Sequence, residues 1–128
     1  MRSTPVLSWP IALLIDLLAV VVFGVLGRAA HSEALTPGGI AQTTWPFLAA
    51  LVIGWLVVRV WQAPLRLNRA VLLLVVTVVL GNLLRVFVAQ DSTHWTFITV
   101  TVLVLAALLA GWRLIALLLL RRRAAATT

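Results

Sequence analysis

Four long apolar stretches, separated by short polar segments, organise the chain. They cover about residues 9–30, 45–62, 70–89 and 95–120. Each is near the length of about 20 residues that an α-helix needs to cross a bilayer. Tryptophans stand near an end of every stretch except the third, as in the aromatic belts at membrane–water interfaces. The pattern therefore predicts four transmembrane helices.

The polar segments between these stretches are short, which makes consecutive helices antiparallel neighbours. The longest segment, residues 33–44, contains the sequence TPGG, which favours a turn or a flexible link. The segments 63–69 and 90–94 are shorter still. We therefore expect one domain over residues 1–128, with an all-α fold. The expected architecture is a four-helix transmembrane bundle of up-down-up-down topology.

The composition agrees with a membrane protein. The chain is 63% hydrophobic and only 10% charged, against about 25% charged residues in soluble domains. It has no cysteine, which excludes disulfides and thiolate metal sites. The net charge of +7 is not accompanied by the interleaved aromatic and basic residues of a nucleic-acid surface, so we expect no nucleic-acid partner.

The arginines are distributed unequally between the two ends of the predicted helices. The arginine-rich end collects Arg2, Arg59, Arg66, Arg69, Arg113, Arg121, Arg122 and Arg123. The opposite end has only Arg28 and Arg85. Because positive charge stays in the cytoplasm, both termini are expected to be cytoplasmic, in a multi-pass protein of the cytoplasmic (inner) membrane.

Five arginines are interpreted as topology anchors: Arg66, Arg69, Arg121, Arg122 and Arg123. The last three begin a polar tail, residues 121–128, that is expected to contact anionic lipid headgroups. The first apolar stretch is expected to stay in the protein rather than to be cleaved as a signal peptide. Its core exceeds the usual length of about 7–15 residues and contains Asp16.

Asp16 is the residue least suited to lipid, because an unpaired carboxylate there costs several kcal/mol. It shares a helical face with the small residues Ala12 and Ala19, and such a face favours close packing between helices. Arg113 lies at a comparable depth, roughly 10 Å from the arginine-rich boundary. We predict a buried Asp16–Arg113 ion pair, with Arg59 as the alternative partner, although Arg59 is near a helix end and can reach the interface.

Polar residues also converge at the end that is poor in arginine. We name this set the polar cap; it comprises Arg28, His31, Glu33, Asn82, Arg85, Asp91 and His94. One interpretation is a balanced salt-bridge clasp. Another is a site for an anion or a lipid headgroup, because arginine makes planar two-point contacts with carboxylate and phosphate.

Haem or metal binding by His31 and His94 is a third interpretation of the polar cap. Haem-binding histidines usually lie deeper inside helices, and other ligands at recognisable spacing are missing. We therefore expect no metal and no cofactor. The sequence also lacks GxGxxG, phosphate-loop, HExxH and GxSxG motifs, so we expect a protein without enzymatic activity.

Four short motifs follow one another along the chain: Asp16, Gly27-Arg28-x-x-His31, Trp61-x-x-Pro64 and Gly81-x-x-x-Arg85. With them the chain resembles a family of small bacterial and archaeal four-helix membrane proteins, catalogued as a domain of unknown function with serial number thirty fifty-four. The resemblance covers nearly the whole chain except the tail. It implies a four-helix integral membrane protein, and it brings no activity, substrate or catalytic residue.

Small multidrug-resistance exporters are similar in architecture, with four helices and an acidic residue in the first. This chain departs from them because its acid is Asp16 rather than Glu and it contains no Tyr. Its strong arginine bias also differs from the weak bias that dual-topology exporters need. The similarity is therefore one of fold class alone.

The leading functional expectation is an integral membrane protein without enzymatic activity, whose polar cap binds an anionic group or a lipid. The first alternative is a small proton-coupled transporter that uses Asp16. The second is an accessory subunit of a larger membrane complex. The expected partners are membrane lipids, together with further copies of the chain or the subunits of such a complex.

Overall fold

The computed structural model describes residues 7–30, 33–88 and 95–126. These contain four α-helices: α1 (Trp9–Ala30), α2 (Pro37–Val58), α3 (Leu67–Phe87) and α4 (Trp95–Ala126). A short 3₁₀ helix, Val60–Gln62, follows α2, and no strand occurs within the described ranges. Each α-helix is long and apolar enough to cross a membrane. The predicted all-α, four-helix fold is confirmed, and the chain is a multi-pass membrane protein.

The four helices pack as a closed ring in chain order. Each helix contacts the next one, the α2–α3 interface is the largest, and α4 returns to contact α1. Trp55 near the end of α2 contacts Asp16 near the start of α1, and Arg85 near the end of α3 covers Phe97 at the start of α4. Consecutive helices are therefore antiparallel.

Apolar side chains from three of the helices fill much of the centre of the ring. Val20 on α1, Leu51 on α2 and Leu105 on α4 are fully buried. Val20 lies one helical turn beyond Asp16, and Leu51 lies one turn before Trp55. On α3 the buried residue near the middle of the helix is Thr77, so the centre of the ring is mostly, but not entirely, apolar.

The outer surfaces of all four helices are apolar, as lipid-facing surfaces are. Large exposed side chains include Leu14, Leu18, Leu56, Val57, Val75, Val79, Ile115 and Leu118. Close packing on the inner side is visible at Gly81, where a Cβ atom would overlap the ring of Phe47. A small residue at this position therefore lets α3 approach α2 closely.

The start of α2 differs from the sequence expectation. The helix begins at Pro37, not near residue 45, because Thr36 caps it: Thr36 Oγ1 accepts the Gly39 N–H over 3.0 Å. Proline suits the first helical position because its missing N–H has no intrahelical partner there. The expectation that TPGG forms a turn or flexible link is wrong, since it forms the cap and first turn of α2.

The end of α4 also extends beyond the expected span. The helix runs on to Ala126 and includes Arg121, Arg122 and Arg123, so most of the predicted tail is helical. Its 32 residues give a rod of about 48 Å. Since the hydrocarbon core of a bilayer is about 30 Å thick, one end of α4 projects well beyond it.

Candidate functional site

Asp16 and Arg113 lie in direct contact inside the ring of helices. Arg113 Nη1 donates to Asp16 Oδ1 over 2.9 Å, and Arg113 Nη2 donates to Asp16 Oδ2 over 2.7 Å. Both side chains are fully buried. This two-point contact is the strong geometry between a guanidinium and a carboxylate. It joins α1 to α4, which is the pairing that the sequence predicts.

Two indole groups complete the surroundings of the Asp16 carboxylate. Trp55 on α2 donates its Nε1–H to Oδ2 over 2.9 Å, and Trp112 on α4 donates to Oδ1 over 2.8 Å. Sequence reasoning did not include either tryptophan in the site. Their positions in the sequence could have indicated this role. Both lie inside apolar stretches, where a buried indole N–H needs an acceptor.

Arg113 also fastens α4 to the segment between α2 and α3. Its Nε donates to the Pro64 carbonyl oxygen over 2.7 Å, and its Nη1 donates to the Leu109 carbonyl oxygen over 2.9 Å. The guanidinium carbon lies 4.7 Å from the ring centroid of Trp112. We name the set of Asp16, Trp55, Trp112, Arg113 and the Pro64 carbonyl the Asp16 junction.

The Asp16 junction has the chemistry of a clamp. A carboxylate offers about four acceptor positions, and four donors from Trp55, Trp112 and Arg113 use them. In a medium of low dielectric constant these contacts are strong, and the same medium makes an unpaired ion very costly. The junction therefore holds α1, α2 and α4 together and leaves no free acceptor for a substrate.

At the opposite end, Arg28 joins the end of α1 to the start of α2. Its Nη1 lies 3.0 Å from Glu33 Oε2 and donates to Thr43 Oγ1 over 3.0 Å, while its Nε donates to the Ala34 carbonyl over 2.7 Å. The guanidinium lies so close to Gly39 that a Cβ there would be 2.6 Å from Nη2. These contacts correspond to the clasp interpretation, in which Arg28 links the end of α1 to the start of α2.

Arg85, the second arginine of the polar cap, lies against an aromatic cluster. Its guanidinium carbon is 4.0 Å from the centroid of the Phe97 ring, a cation–π contact. Phe97 packs with Phe23 and Phe47, with centroid distances of 6.2 and 6.1 Å, and these two rings are 5.1 Å apart. The cluster draws on α1, α2 and α4, so Arg85 adds α3 to a contact of all four helices.

Two buried polar atoms on α3 have no hydrogen-bond partner within the described ranges: Thr77 Oγ1 and Asn82 Oδ1. The buried threonines of the neighbouring helices differ, since Thr44 and Thr101 each donate to the carbonyl oxygen four residues earlier. Buried polar atoms are nearly always paired. Within the described residues, these two atoms of α3 are therefore exceptions to that rule.

Three members of the polar cap lie outside the described residues: His31, Asp91 and His94. Of the others, the structure brings Arg28 and Glu33 together, whereas Arg85 contacts Phe97. In the described part of the chain, no group of three His, Cys, Asp or Glu side chains could hold a metal ion.

The expected topology anchors occupy different settings. Arg66 is exposed and directly precedes α3. Arg69 donates its Nη1 to the carbonyl oxygens of Val58 and Arg59, over 3.0 and 2.5 Å. Arg69 therefore closes the connection between α2 and α3. The remaining three, Arg121, Arg122 and Arg123, are exposed on the last turns of α4.

In a comparison with known families, residues 13–116 match the protein family of unknown function DUF3054. The chain belongs to this family. The matched region spans the four helices from Leu13 to Ala116 and includes both members of the Asp16–Arg113 pair. Searches of curated proteins and of solved structures returned no match. The resemblance inferred from the four short motifs is confirmed.

Proposed function

We propose that this DUF3054 protein is a membrane protein without enzymatic activity that binds an anionic lipid group and does not transport a solute. The observation that carries the proposal is the Asp16 carboxylate, whose acceptor positions are filled by Arg113, Trp55 and Trp112. A proton or cation carrier must exchange its ligand during each cycle. Four fixed donors oppose that exchange.

The mostly apolar centre of the ring supports the same conclusion. Val20, Leu51 and Leu105 are fully buried between the Asp16 junction and the polar cap. A transport pathway needs polar groups along its length, and intramembrane ionisable residues on such a pathway face a water-filled cavity. The proton-coupled transporter is therefore the weaker alternative.

The binding site that we propose lies on the outer half of α3, around Arg85. The contact with Phe97 orients the Arg85 guanidinium. A phosphate is an anion that arginine binds through two parallel hydrogen bonds. Arg28 contributes less, because Glu33, Ala34 and Thr43 already occupy its donors.

Native mass spectrometry of the protein in mild detergent with added phosphatidylglycerol tests this proposal. The Arg85→Gln variant is expected to retain one lipid fewer than the unsubstituted protein. Arg28→Gln removes the same charge from the same end and is the matched control, expected to retain the full number. Equal retention in Arg85→Gln and the unsubstituted protein would contradict the site.

The accessory-subunit role remains the second alternative, with the inner membrane as its proposed location. The apolar outer surface, which includes Leu56, Val79 and Leu118, suits either lipid or a partner helix. Extraction from the native membrane in mild detergent, followed by identification of stoichiometric co-purifying subunits, distinguishes the two. A constant partner at a fixed ratio would favour the accessory role.

A further inference from the structure

A groove rich in tryptophan lies between the start of α1 and the end of α2, near the arginine-rich end. Its volume is about 380 Å³, and its lining is apolar: Trp9, Leu13, Val52, Trp55, Leu56 and Trp61. We name it the tryptophan groove. Trp9, Leu56 and Trp61 remain exposed, so the groove is open to the surroundings of the helix ring. Trp55 is held in place by its bond to Asp16.

Arg59 is the residue at which α2 ends, close in the chain to the tryptophan groove. In the chain it lies between Leu56 and Trp61, which both line the groove. Its backbone adopts φ 59° and ψ 51°, the left-handed conformation, and it is the one non-glycine residue of the described ranges with positive φ. Helices commonly end on such a residue, but glycine normally fills the position because side chains are strained there.

The strained backbone at Arg59 is held by a neighbour. Arg69 Nη1 donates to the Arg59 carbonyl oxygen over 2.5 Å and to the Val58 carbonyl oxygen over 3.0 Å. The Arg59 N–H in turn donates to the Trp55 carbonyl oxygen. An observed strained residue that its surroundings fix in place is a reason to look for function.

Within the described residues, the chain offers no carboxylate to Arg59. Of its three acidic residues, Asp16 is enclosed by the Asp16 junction and Glu33 is paired with Arg28 at the other end. The third, Asp91, lies outside the described residues. The Arg59 guanidinium therefore has no carboxylate partner in the part of the chain that the structure describes, and it is available to an anion.

We propose that the tryptophan groove holds one acyl chain of an anionic phospholipid whose phosphate binds Arg59. The groove opens on the apolar perimeter of the ring, where the bilayer supplies hydrocarbon chains. Trp9 and Trp61 mark the level of the interface, where tryptophan is enriched. Arginine binds phosphate through two parallel hydrogen bonds. This site lies at the opposite end of the helices from Arg85, so it does not depend on the function proposed above.

Lipid retention in native mass spectrometry tests the groove. With phosphatidylglycerol added, Arg59→Gln is expected to lower occupancy of one site several-fold. Arg66→Gln, an exposed arginine outside the groove, is the matched control and is expected to keep it. The double variant Arg59→Gln with Arg85→Gln distinguishes this proposal from the one at Arg85. Because the two sites are separate, each substitution is expected to remove a different lipid. Equal retention in Arg59→Gln and Arg66→Gln would overturn the proposal.

A second measurement reports on the acyl chain. Phosphatidylglycerol brominated along its acyl chains is expected to quench tryptophan fluorescence at severalfold lower lipid concentration in the unsubstituted protein than in Arg59→Gln. Arg59→Gly relieves the backbone strain while removing the guanidinium, so it should fold at least as well and still lose the lipid. Unchanged quenching in a well-folded Arg59→Gly variant, or equal affinity for phosphatidylcholine and phosphatidylglycerol, would overturn the assignment.

Discussion

The carboxylate of Asp16 is an ion in an apolar interior, and its neighbours determine whether the ring of helices closes. Arg113 supplies the opposite charge through two hydrogen bonds, and Trp55 and Trp112 supply one more each. A buried ion pair adds little to the free energy of unfolding compared with apolar residues of equal volume. Removing one partner, however, is strongly destabilising, because the other ion is left buried and unpaired. This asymmetry makes the pair testable by substitution.

Asp16→Asn and Arg113→Gln are each expected to lower the free energy of unfolding in detergent by about 3 kcal/mol or more, because each leaves the other ion buried without its partner. The double substitution removes both ions and is expected to cost clearly less than the sum of the two. Thermal or denaturant unfolding of the four proteins measures the coupling. Additive losses would show that the two residues do not act as a pair.

The ion pair could be predicted from sequence, whereas its indole donors could not. A charge in lipid must be neutralised, and few cations of this chain lie at the depth of Asp16, so spacing favours Arg113 and leaves Arg59 as the alternative. Trp55 and Trp112 carry no charge, and whether their N–H groups point to Asp16 depends on the rotation of α2 and α4 about their axes. A hydropathy profile gives no information about that rotation.

At the scale of the elements, α2 shows what hydropathy measures and what it misses. The apolar stretch marks where the chain enters lipid, near Trp45, but the helix begins at Pro37 because Thr36 caps its first turn. Its other end is fixed by the left-handed backbone of Arg59. Both ends are decided by local backbone hydrogen bonds, which a hydropathy average does not register.

Gly39→Ala and Gly38→Ala form a matched pair in the first turn of α2. Both add helix propensity to the same extent, but a Cβ at Gly39 would displace the Arg28 guanidinium, whereas one at Gly38 meets nothing within 4 Å. We expect Gly39→Ala to be less stable than Gly38→Ala by about 1 kcal/mol, the scale of a lost hydrogen bond. Thermal unfolding in detergent measures this difference.

The Arg28→Gln background is the control for the glycine pair. Without the guanidinium, the difference between Gly39→Ala and Gly38→Ala is expected to become smaller, and the remainder reflects Thr36 Oγ1, which the new Cβ would approach to 2.9 Å. A difference that does not decrease in that background would contradict the contact between Arg28 and the first turn of α2.

At the scale of the whole molecule, the chain is a ring of four antiparallel helices with unequal charge at its two ends. Fold class and helix number follow from hydropathy, because only helices satisfy their backbone hydrogen bonds within each lipid-exposed segment. The direction in which the ring crosses the membrane rests on the arginine count. The sequence assigns eight arginines to one end and two to the other, Arg28 and Arg85.

Reporter fusions in a bacterial host test this direction. A green fluorescent protein attached after Thr128 is expected to fluoresce, and an alkaline phosphatase at the same place is expected to be inactive, because the positive-inside rule puts this end in the cytoplasm. Alkaline phosphatase inserted between Glu33 and Thr36 is expected to be active. The opposite pattern of activities would reverse the proposed orientation.

The contact between Asp16 and Arg113 also bears on how the protein is made. The two residues are 97 positions apart and belong to the first and last helices to leave the ribosome. At translation rates of about 5–20 residues per second, Asp16 waits roughly 5–20 s for its counter-ion. During that interval α1 carries an uncompensated carboxylate, so biogenesis must either hold α1 in the insertion machinery or let water reach it until α4 arrives. A nascent chain that stalls before α4 would expose this charge. Membrane quality control could then recognise the unpaired carboxylate as a sign of incomplete synthesis.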